Sequence, residues 1–507
     1  MWVDGAPRVA CVTPLRRLEG RQVTTLEGLG RDQSDRWAEA LVATGGSQCG
    51  FCTPGIVMRL AALATAAEPD PSVGSPSVTD GRIDQALLAH LCRCTGWQTV
   101  REAALRVLGD VPHPAPDPRR DLSLAAERAA LEGGTPQQVG AHVVRGGAGF
   151  ADDTCPDDAL VAVPDGRGGY ALGETVAEAR AAAAKIQGRS TGLALGHPVA
   201  VPPGRWALTL RTTWVEPAYV EPDASWCRPG GEPASPLANG GAFGGKRHSP
   251  VGADARRLAD RHGRPVRVLW WREDVVRRGP KRPPVAVGID AAGAGVLAVG
   301  VPPDGIDGDR WAAVVADVAL VAPGLVPEPV TLAGPPVSFD LRAAVWAEAA
   351  AVAACAGLVP GDPSPDAGPV EVTGPSGGLA RVRWREEGAL EVEVEAGAVL
   401  DEVVLRSYCI GAAHQALGWV WSEGIAVDGH GEVRDLTVRS FGILRARDMP
   451  HVSVSIRPGG RRPAVNVSDA VFAAVAAVCW RAGGLPPEWP IRRGATAGPW
   501  GGTPGLN

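Results

Sequence analysis

Four of the ten cysteines in this 507-residue chain are spaced to hold metal. Cys49 and Cys52 stand in QCGFCTPG, Cys92 and Cys94 in LCRCTGW; a Cys-x2-Cys is followed, 39 residues later, by a Cys-x-Cys. Thiolates in such a set hold either two bridged irons or one tetrahedral zinc. Four-cysteine zinc sites usually use two Cys-x2-Cys knuckles, so the Cys-x-Cys half argues for a [2Fe–2S] cluster. Such a cluster carries net negative charge, which amide donors and helix N-termini stabilise. Pro54 suits the first turn of a helix starting just after Cys52. Gly50 is expected to let the loop wrap tightly, and Thr53 to donate a hydrogen bond to a sulfur.

The elements that position these thiols follow from periodicity. Residues 24–44 repeat apolar side chains at helical spacing (Leu26, Leu29, Trp37, Leu41, Val42) until Gly45-Gly46 stops them. A second helix runs from Pro54 through IVMRLAALATAA. A third, RIDQALLAHL, has Asp80 as its expected cap, and VREAALRVL is a fourth. The two cysteine pairs therefore flank helices of a small bundle. Ahead of it, VDGAPRVACV reads as strand, turn, strand about Asp4-Gly5. VPHPAPDPRRDL is a proline-rich linker. Beyond it the texture is α+β: ALVAVP, WALTLRTTWV, PVRVLWW, ARVRWREEGALEVEVEAG and HVSVSI read as strands, TVAEARAAAAKI and AVFAAVAAVCW as helices. Residues 296–375 give no reading beyond irregular α/β packing.

Composition narrows the function classes. A net charge of −6 and a pI near 5.9 give no reason to expect nucleic acid. The most apolar run, Ala343 to Leu358, is interrupted by Glu348 and reads as a packed helix rather than a membrane span. The start, MWVDGAPRVACV, lacks the pattern of a signal peptide, so the cytoplasm is the expected compartment and thiols rather than disulfides the expected cysteine state.

Two further motifs lie downstream. GGAFGGK, residues 240–246, has four glycines that let backbone N–H groups approach an anionic, bulky ligand, with Phe243 as a wall. Lys246 reads as a solvated charge beside it. IGAAHQALGWVWSEG, residues 410–424, is an Ala-rich helix in which Gly411, Gln415 and Gly418 share a face. That spacing serves close helix packing as well as a ligand, and His414 reads as a hydrogen-bonded histidine rather than a metal ligand.

QCGFCTPG…CRCTGW closely resembles the second iron–sulfur domain of the xanthine dehydrogenase/aldehyde oxidase family, the molybdenum hydroxylases, and the likeness runs through residues 1–110. VDGAPRVACVTP resembles the end of that family's plant-type ferredoxin domain, with Cys11 at the fourth ligand position and the first three ligands absent from this chain. Standing alone, Cys11 reads as a core thiol. GGAFGGK, LRTTWVEPAYVEPDASW, the 410–424 helix, RSFGILRARDMPHVSVSI and VNVSDAVFAAVAAVCW resemble the large subunit. The resemblance implies an α+β multidomain chain: a ferredoxin-like remnant (1–22), a four-helix [2Fe–2S]-binding bundle (23–110), a linker (111–122), a reduced α/β segment (123–230), and mixed α/β of molybdopterin-binding type (231–507). It implies Cys49, Cys52, Cys92 and Cys94 as cluster ligands. It implies Gln48, Gly240, Gly241, Ala242, Phe243, Gly244, Gly245, Gly411 and Gln415 as contacts of a molybdopterin cofactor, mononucleotide or dinucleotide. The chemistry implied is hydroxylation of an aldehyde or N-heterocycle with water, electrons leaving through [2Fe–2S] toward an FAD-containing subunit.

The family's glycine-valine-glycine-glutamate motif, whose glutamate is the base, has no counterpart between Ile456 and Asn507; Glu488, in LPPEWP, lies in another context. A Gly-Gln-Gly loop is also replaced, by AVLDEVVLRSY. No catalytic residue is therefore assigned. The readings that stand are a compact oxidoreductase chain with both cofactors, an electron-transfer or assembly subunit with a degenerate molybdenum domain, and a structural metal-binding protein.

Overall fold

Asp4 and Gly5 both take positive φ, which fits the tight turn of a hairpin whose strands are only Trp2–Val3 and Ala6–Pro7. A third short strand, Val23–Thr24, pairs with Trp2–Val3. The expected strand at RVACV does not form: Ala10–Val12 is a 3-10 turn, and Cys11 is exposed rather than in a core. The chain is described from a computed structural model that covers residues 1–65, 79–109, 119–184, 191–237, 242–361, 368–385, 388–460 and 462–491. Gly240 and Gly241 lie outside the described residues, as does most of the proline-rich linker.

Four helices follow. Helix α1 (Arg31–Thr44) begins later than its apolar periodicity because Leu26–Gly28 is a separate 3-10 turn and Gly30 breaks the run at φ 88°. Gly45, left-handed, closes α1 by donating its N–H to the Leu41 carbonyl. Helix α2 (Thr53–Thr65) opens directly after Cys52. Helix α3 (Asp80–Leu87) is capped by Thr79, whose hydroxyl accepts the Arg82 N–H; Asp80 lies inside the first turn and is not the cap. Helix α4 (Gln98–Leu108) packs on α1.

The remainder is built on three sheets. One runs in the order Tyr170–Gly173, Leu160–Pro164, Val266–Trp270, Asp223–Cys227. A second orders Leu325–Thr331, Gly295–Val301, Val285–Ile289, Leu208–Thr212 and Glu488–Trp489. The third orders Val370–Thr373, Leu379–Trp384, Leu390–Glu395 and Val452–Arg457. Residues 296–375, unread in the sequence, hold a regular unit: Gly295–Val301 and Leu325–Thr331 pair in parallel across the Gly308–Val321 helix. Asp307 caps that helix through the Asp309 and Arg310 N–H groups.

Two helices form the centre. Glu402–Trp421 is buried on nearly every face and packs along Ser468–Ala482. An apolar surface on all sides is what a fully interior helix requires. Asp401 caps the first, accepting the Val404 N–H at 2.7 Å. Glu132, in helix α5 (Leu122–Gly133), reaches the N-terminus of the second, accepting the Val467 and Ser468 N–H groups at 3.2 and 2.9 Å. One continuous apolar core joins Leu41, Cys94 and Trp97 of the bundle to Ile410 and Ala413 of the central helix. The cysteine loops are thus at an interior seam.

Candidate metal centre and its junction

Cys49, Cys92 and Cys94 are buried and Cys52 is partly exposed. The Cys94 and Cys49 sulfurs lie 3.6 Å apart. Cys52 and Cys92 form the second close pair, sharing a hydrogen bond that pulls the Cys92 thiol down to about 6. Burial opposes that fall, while the Thr95 hydroxyl, at 3.2 Å, and the N–H groups of Thr95 and Cys94 assist it. Burial and the neighbouring thiols raise Cys52 and Cys94, the largest cause being the hydrogen bonds to Cys92 and Cys49 respectively. The hydroxyl that bonds a cluster-site sulfur is therefore that of Thr95. Thr53, the residue expected in that role, pairs its hydroxyl with Ser47 at 3.0 Å.

Backbone geometry explains how the loops close. Gly50, at φ 85°, sits so close to Val143 that a Cβ would come within 2.6 Å of its side chain. On the other side, Gly96 and Trp97 both have positive φ, and the buried Trp97 indole donates to the Leu444 carbonyl at 3.1 Å. His414, on the central helix, bonds the same carbonyl at 3.0 Å, an interior histidine as its sequence context suggests. Burial and the nearby Arg93 charge lower its pKa to about 4.

The Cys92–Trp97 turn lies directly on the central helix. A Cβ on Gly411 would stand 1.9 Å from the Cys94 carbonyl oxygen. Gln415 donates from Nε2 to the Arg93 carbonyl at 3.2 Å, and its Oε1 accepts from Arg342 at 3.2 Å. Gln48 donates to the Ser407 hydroxyl at 2.9 Å. Gln48, Gly411 and Gln415 thus converge with the cysteine loops, each engaged with the chain itself. Gly418 fits the Glu423 carboxylate rather than a ligand; a Cβ there would meet Oε1 at 2.1 Å.

The glycine loop reaches the same seam from the opposite side. Ala242 and Phe243 are buried, and Arg342 stacks 4.5 Å over the Phe243 ring. Gly244 is left-handed, and a Cβ on it would meet the Asp340 carbonyl oxygen at 2.0 Å; one on Gly245 would meet Pro217 at 2.9 Å. Lys246 is not a solvated charge: it is buried, 3.1 Å from Glu221, and donates to the Pro222 carbonyl.

Phe243, Gln415 and Arg93 border a cavity of about 40 Å³. Buried ion pairs, which the sequence did not reveal, crowd it. Arg93 forks onto Glu423, with one arm at 2.8 Å; Arg282 forks onto Glu348 at 2.6 and 2.7 Å and stacks 4.3 Å over Trp419; Arg272 pairs with Glu216. Burial raises the Glu423 carboxyl against the pull of Arg93. Between the Val452–Arg457 strand and the Ser468–Ala482 helix, residues 458–467 contain no acidic side chain, and Glu488 lies on a sheet edge paired with Arg211.

Comparison with known proteins gives matches to part of the sequence and to the fold of most of the chain. A family profile described as "[2Fe-2S] binding domain" matches residues 25–105. Over 105 residues the chain is 37% identical to a probable xanthine dehydrogenase component from Bacillus subtilis, a match covering 21% of this chain and 56% of that protein. It is 42% identical over 96 residues to xanthine dehydrogenase of Emericella nidulans and 42% over 99 residues to aldehyde oxidase 1 of Cavia porcellus; each match covers 19% of this chain, with 6% and 7% of those proteins. The matched segment thus spans little more than half of the first relative and a small part of the others. Across 97% of its length the chain has the fold of the aldehyde oxidoreductase of Desulfovibrio gigas, with a TM-score of 0.65, 14% identity and 93% of that chain covered. The Desulfovibrio desulfuricans aldehyde oxidoreductase gives a TM-score of 0.63 with the same coverage and identity. Residues 25–105 are a [2Fe–2S]-binding domain of the kind found in xanthine dehydrogenases and aldehyde oxidases, carried in a chain with the aldehyde oxidoreductase fold.

Proposed function

We propose that this is an iron–sulfur oxidoreductase chain of the molybdenum-hydroxylase type in which Cys49, Cys52, Cys92 and Cys94 hold a [2Fe–2S] cluster. The observation that carries the reading is the pairing of the thiols. Two thiolates on one tetrahedral metal with bonds of ~2.3 Å lie roughly 3.8 Å apart; Cys49 and Cys94 stand at 3.6 Å, and Cys52 and Cys92 form a second pair. Two bridged irons need two such pairs. When bound, the cluster accepts and releases one electron at a time. The chain's own part is to hold it dry and to stabilise sulfur charge through Thr95 and the loop amides. Cys94 and Arg93 link that site to the central helix through Gly411 and Gln415.

Molybdopterin does not fit the described residues in the same way. A cofactor or drug-sized ligand occupies pockets of roughly 300–1,000 Å³, whereas the space between Phe243, Gln415 and Arg93 is about 40 Å³. Of the described loop glycines, Gly244 is already met by the Asp340 carbonyl and Gly245 by the Pro217 ring. No step of aldehyde or N-heterocycle hydroxylation is therefore assigned to residues here. The alternative reading is a non-catalytic electron-transfer or assembly subunit with a [2Fe–2S] cluster and a degenerate molybdenum domain.

Iron, acid-labile sulfide, zinc and molybdenum per chain, measured after anaerobic purification, test both readings. Two irons and two sulfides are expected. About one molybdenum would favour a complete hydroxylase chain, its absence the electron carrier, and zinc without iron would refute the cluster.

A further inference from the structure

The strand Val452–Arg457 ends the third sheet, and among the described residues no segment pairs with its outer side. The Leu390 N–H bonds the His451 carbonyl, so in this parallel ladder the backbone groups of His451, Ser453, Ser455 and Arg457 point to the neighbouring strand. Those of Val452, Val454 and Ile456 point away from it. The Gln98 amide takes up the Val452 pair, donating to its carbonyl at 3.0 Å and accepting its N–H at 2.9 Å. Pro458, which has no N–H, closes the other end. The open edge is thus Val454 and Ile456, whose N–H and C=O groups have no partner among the described residues. The other long edge strand, Leu325–Thr331, is guarded differently. Leu332 donates its N–H to Val301 across the ladder, so Pro327 and Pro329 stand at the outward positions and blunt that edge. No proline stands between Val452 and Pro458.

The side chains around this edge are small on the open strand and charged behind it. Ser453, Ser455 and Arg457 lie on the exposed face, while Val452, Val454 and Ile456 turn to the core. A surface groove of about 520 Å³ lies over the two serines, with Arg381, Glu391 and Glu393 beside it. On the next strand Glu391, Glu393 and Glu395 form an acidic row. Arg457 and Arg462 serve its Glu395 end, at 3.8 and 2.9 Å, and Arg457 also reaches Glu393 at 2.8 Å. At the other end Glu391 is 45% exposed and holds Arg385.

We propose that the Val454–Ile456 edge is an interface with a second copy of this chain, the two strands pairing antiparallel about a two-fold axis at Ser455. A two-fold makes the pairing reciprocal: whatever residue one copy sets against the other is answered in kind. Centring on Val454 would pair Ile456 with Val452, which Gln98 already holds, and centring on Ile456 would pair Val454 with Pro458. Only the register centred on Ser455 uses both open residues, Val454 meeting Ile456 of the second copy and exchanging both N–H···O bonds with it. Ser455 then faces Ser455, and Ser453 faces Arg457. The charges complement each other in this register. Ser453 is the neighbour of Glu391 in the ladder, so the Arg457 side chain of the second copy lies across the small serine toward the Glu391 end of the acidic row. The two four-stranded sheets become one continuous sheet.

Sedimentation of the full, cluster-loaded chain should show a monomer–dimer equilibrium between about 1 and 100 µM, the range a small interface calls for. Ser455→Lys sits comfortably beside Glu393 in the single chain but sets two ammonium groups against each other at the axis, and should weaken the dimer at least about tenfold. Arg457→Gln should weaken it severalfold. Ser455→Cys reads the register directly, because facing residues of a non-hydrogen-bonded pair have Cα atoms ~4.5 Å apart, within disulfide reach. Mild oxidation should link Ser455→Cys chains into dimers. Wild type, with its exposed Cys11, and Thr373→Cys, on the opposite edge of the same sheet, should stay unlinked. A wild-type chain that is monomeric throughout that range, a dimer that Ser455→Lys leaves intact, or linkage at Thr373→Cys in place of Ser455→Cys would overturn the interface. Should Ser455→Lys fail to fold, the Ser455→Cys chain decides: linked dimers support the pairing, and their absence overturns it.

Discussion

Replacing Gly411 by alanine separates two arguments that predict opposite signs. Alanine in a helix interior is favoured over glycine by roughly 0.5–1 kcal/mol, so a helix considered alone would gain stability. In the structure the added Cβ would stand 1.9 Å from the Cys94 carbonyl oxygen, where Cβ atoms essentially never come within 3.0 Å of another heavy atom. The seam must open by about 1 Å, and neither side yields easily. Cys94 belongs to the apolar core, its neighbour Arg93 is held by Gln415 and Glu423, and the central helix is packed on almost all faces. Overpacking of this kind costs about 1–3 kcal/mol, enough to reverse the propensity gain. Gly411→Ala should therefore lower the denaturant midpoint and alter the visible circular dichroism of the cluster, since the displaced carbonyl belongs to the cysteine itself. Gly81→Ala is the control: nothing lies nearer than 4.0 Å to its Cβ, and it should be neutral or stabilising. A Gly411→Ala chain as stable as wild type, with an unchanged cluster spectrum, would refute the close seam between bundle and central helix.

Three other outcomes follow from the same geometry. Cys49→Ser should abolish the iron and the visible chromophore, whereas Cys355→Ser and Cys479→Ser, buried in the core elsewhere, should keep both; retention of the chromophore in all three would show the ligand set to be wrong. Glu423→Ala strands the Arg93 guanidinium, whose side chain is 5% exposed, and should cost about 3–5 kcal/mol in denaturant unfolding; a loss under about 1 kcal/mol would mean that solvent reaches this pair. His414 has a folded pKa of about 4 against 6.5 when unfolded, so the unfolded chain takes up the proton first as pH falls. Its contribution is intact above pH 6.5 and is lost progressively down to about pH 4, a difference of roughly 3 kcal/mol at 1.36 kcal/mol per pH unit. His414→Gln should flatten that part of the stability profile, and an unchanged slope between pH 6.5 and 4 would contradict the burial of a neutral imidazole.

The features legible in the sequence were the local ones. The cysteine spacing, Pro54 behind Cys52, the Asp4-Gly5 turn and the alternation in ARVRW and LEVEVE each depend on neighbours a few residues away, and the corresponding elements form. The Gly308–Val321 helix was missed although it carried a local sign: Asp307 stands at the N-cap of an apolar run. Its interior face is narrow, with Val314 and Val318 the buried positions, and Ala and Val at eight of its 14 places, on exposed and buried faces alike, hid the helical period. The ion pairs had no such sign. Arg93 and Glu423 are 330 positions apart, and nothing near either residue indicates that both are buried.

The glycine motifs show why the second site was harder to read than the first. A glycine at a crowded position signals that something approaches the backbone too closely for a Cβ, and the signal is the same whether a cofactor or the chain itself approaches. At Gly244 the approaching atom is the Asp340 carbonyl, at Gly411 that of Cys94, and at Gly418 the Glu423 carboxylate. Asp340 and Cys94 lie in other segments, so the spacing within GGAFGGK or IGAAHQALG cannot identify them, and Glu423, five residues beyond Gly418, meets it only because the chain turns back at the helix end. A thiol differs because the side chain is itself the ligand atom, and Cys-x2-Cys with Cys-x-Cys limits what it can hold before any tertiary contact is known. Chemistry carried by side chains could therefore be read from type and spacing, whereas chemistry that depends on empty space between segments could be judged only once the segments were packed together. On that ground the cluster reading rests on the cysteines directly, and the fate of the pterin seat turns on whether Arg93, Arg342 and their carboxylates leave room for anything else.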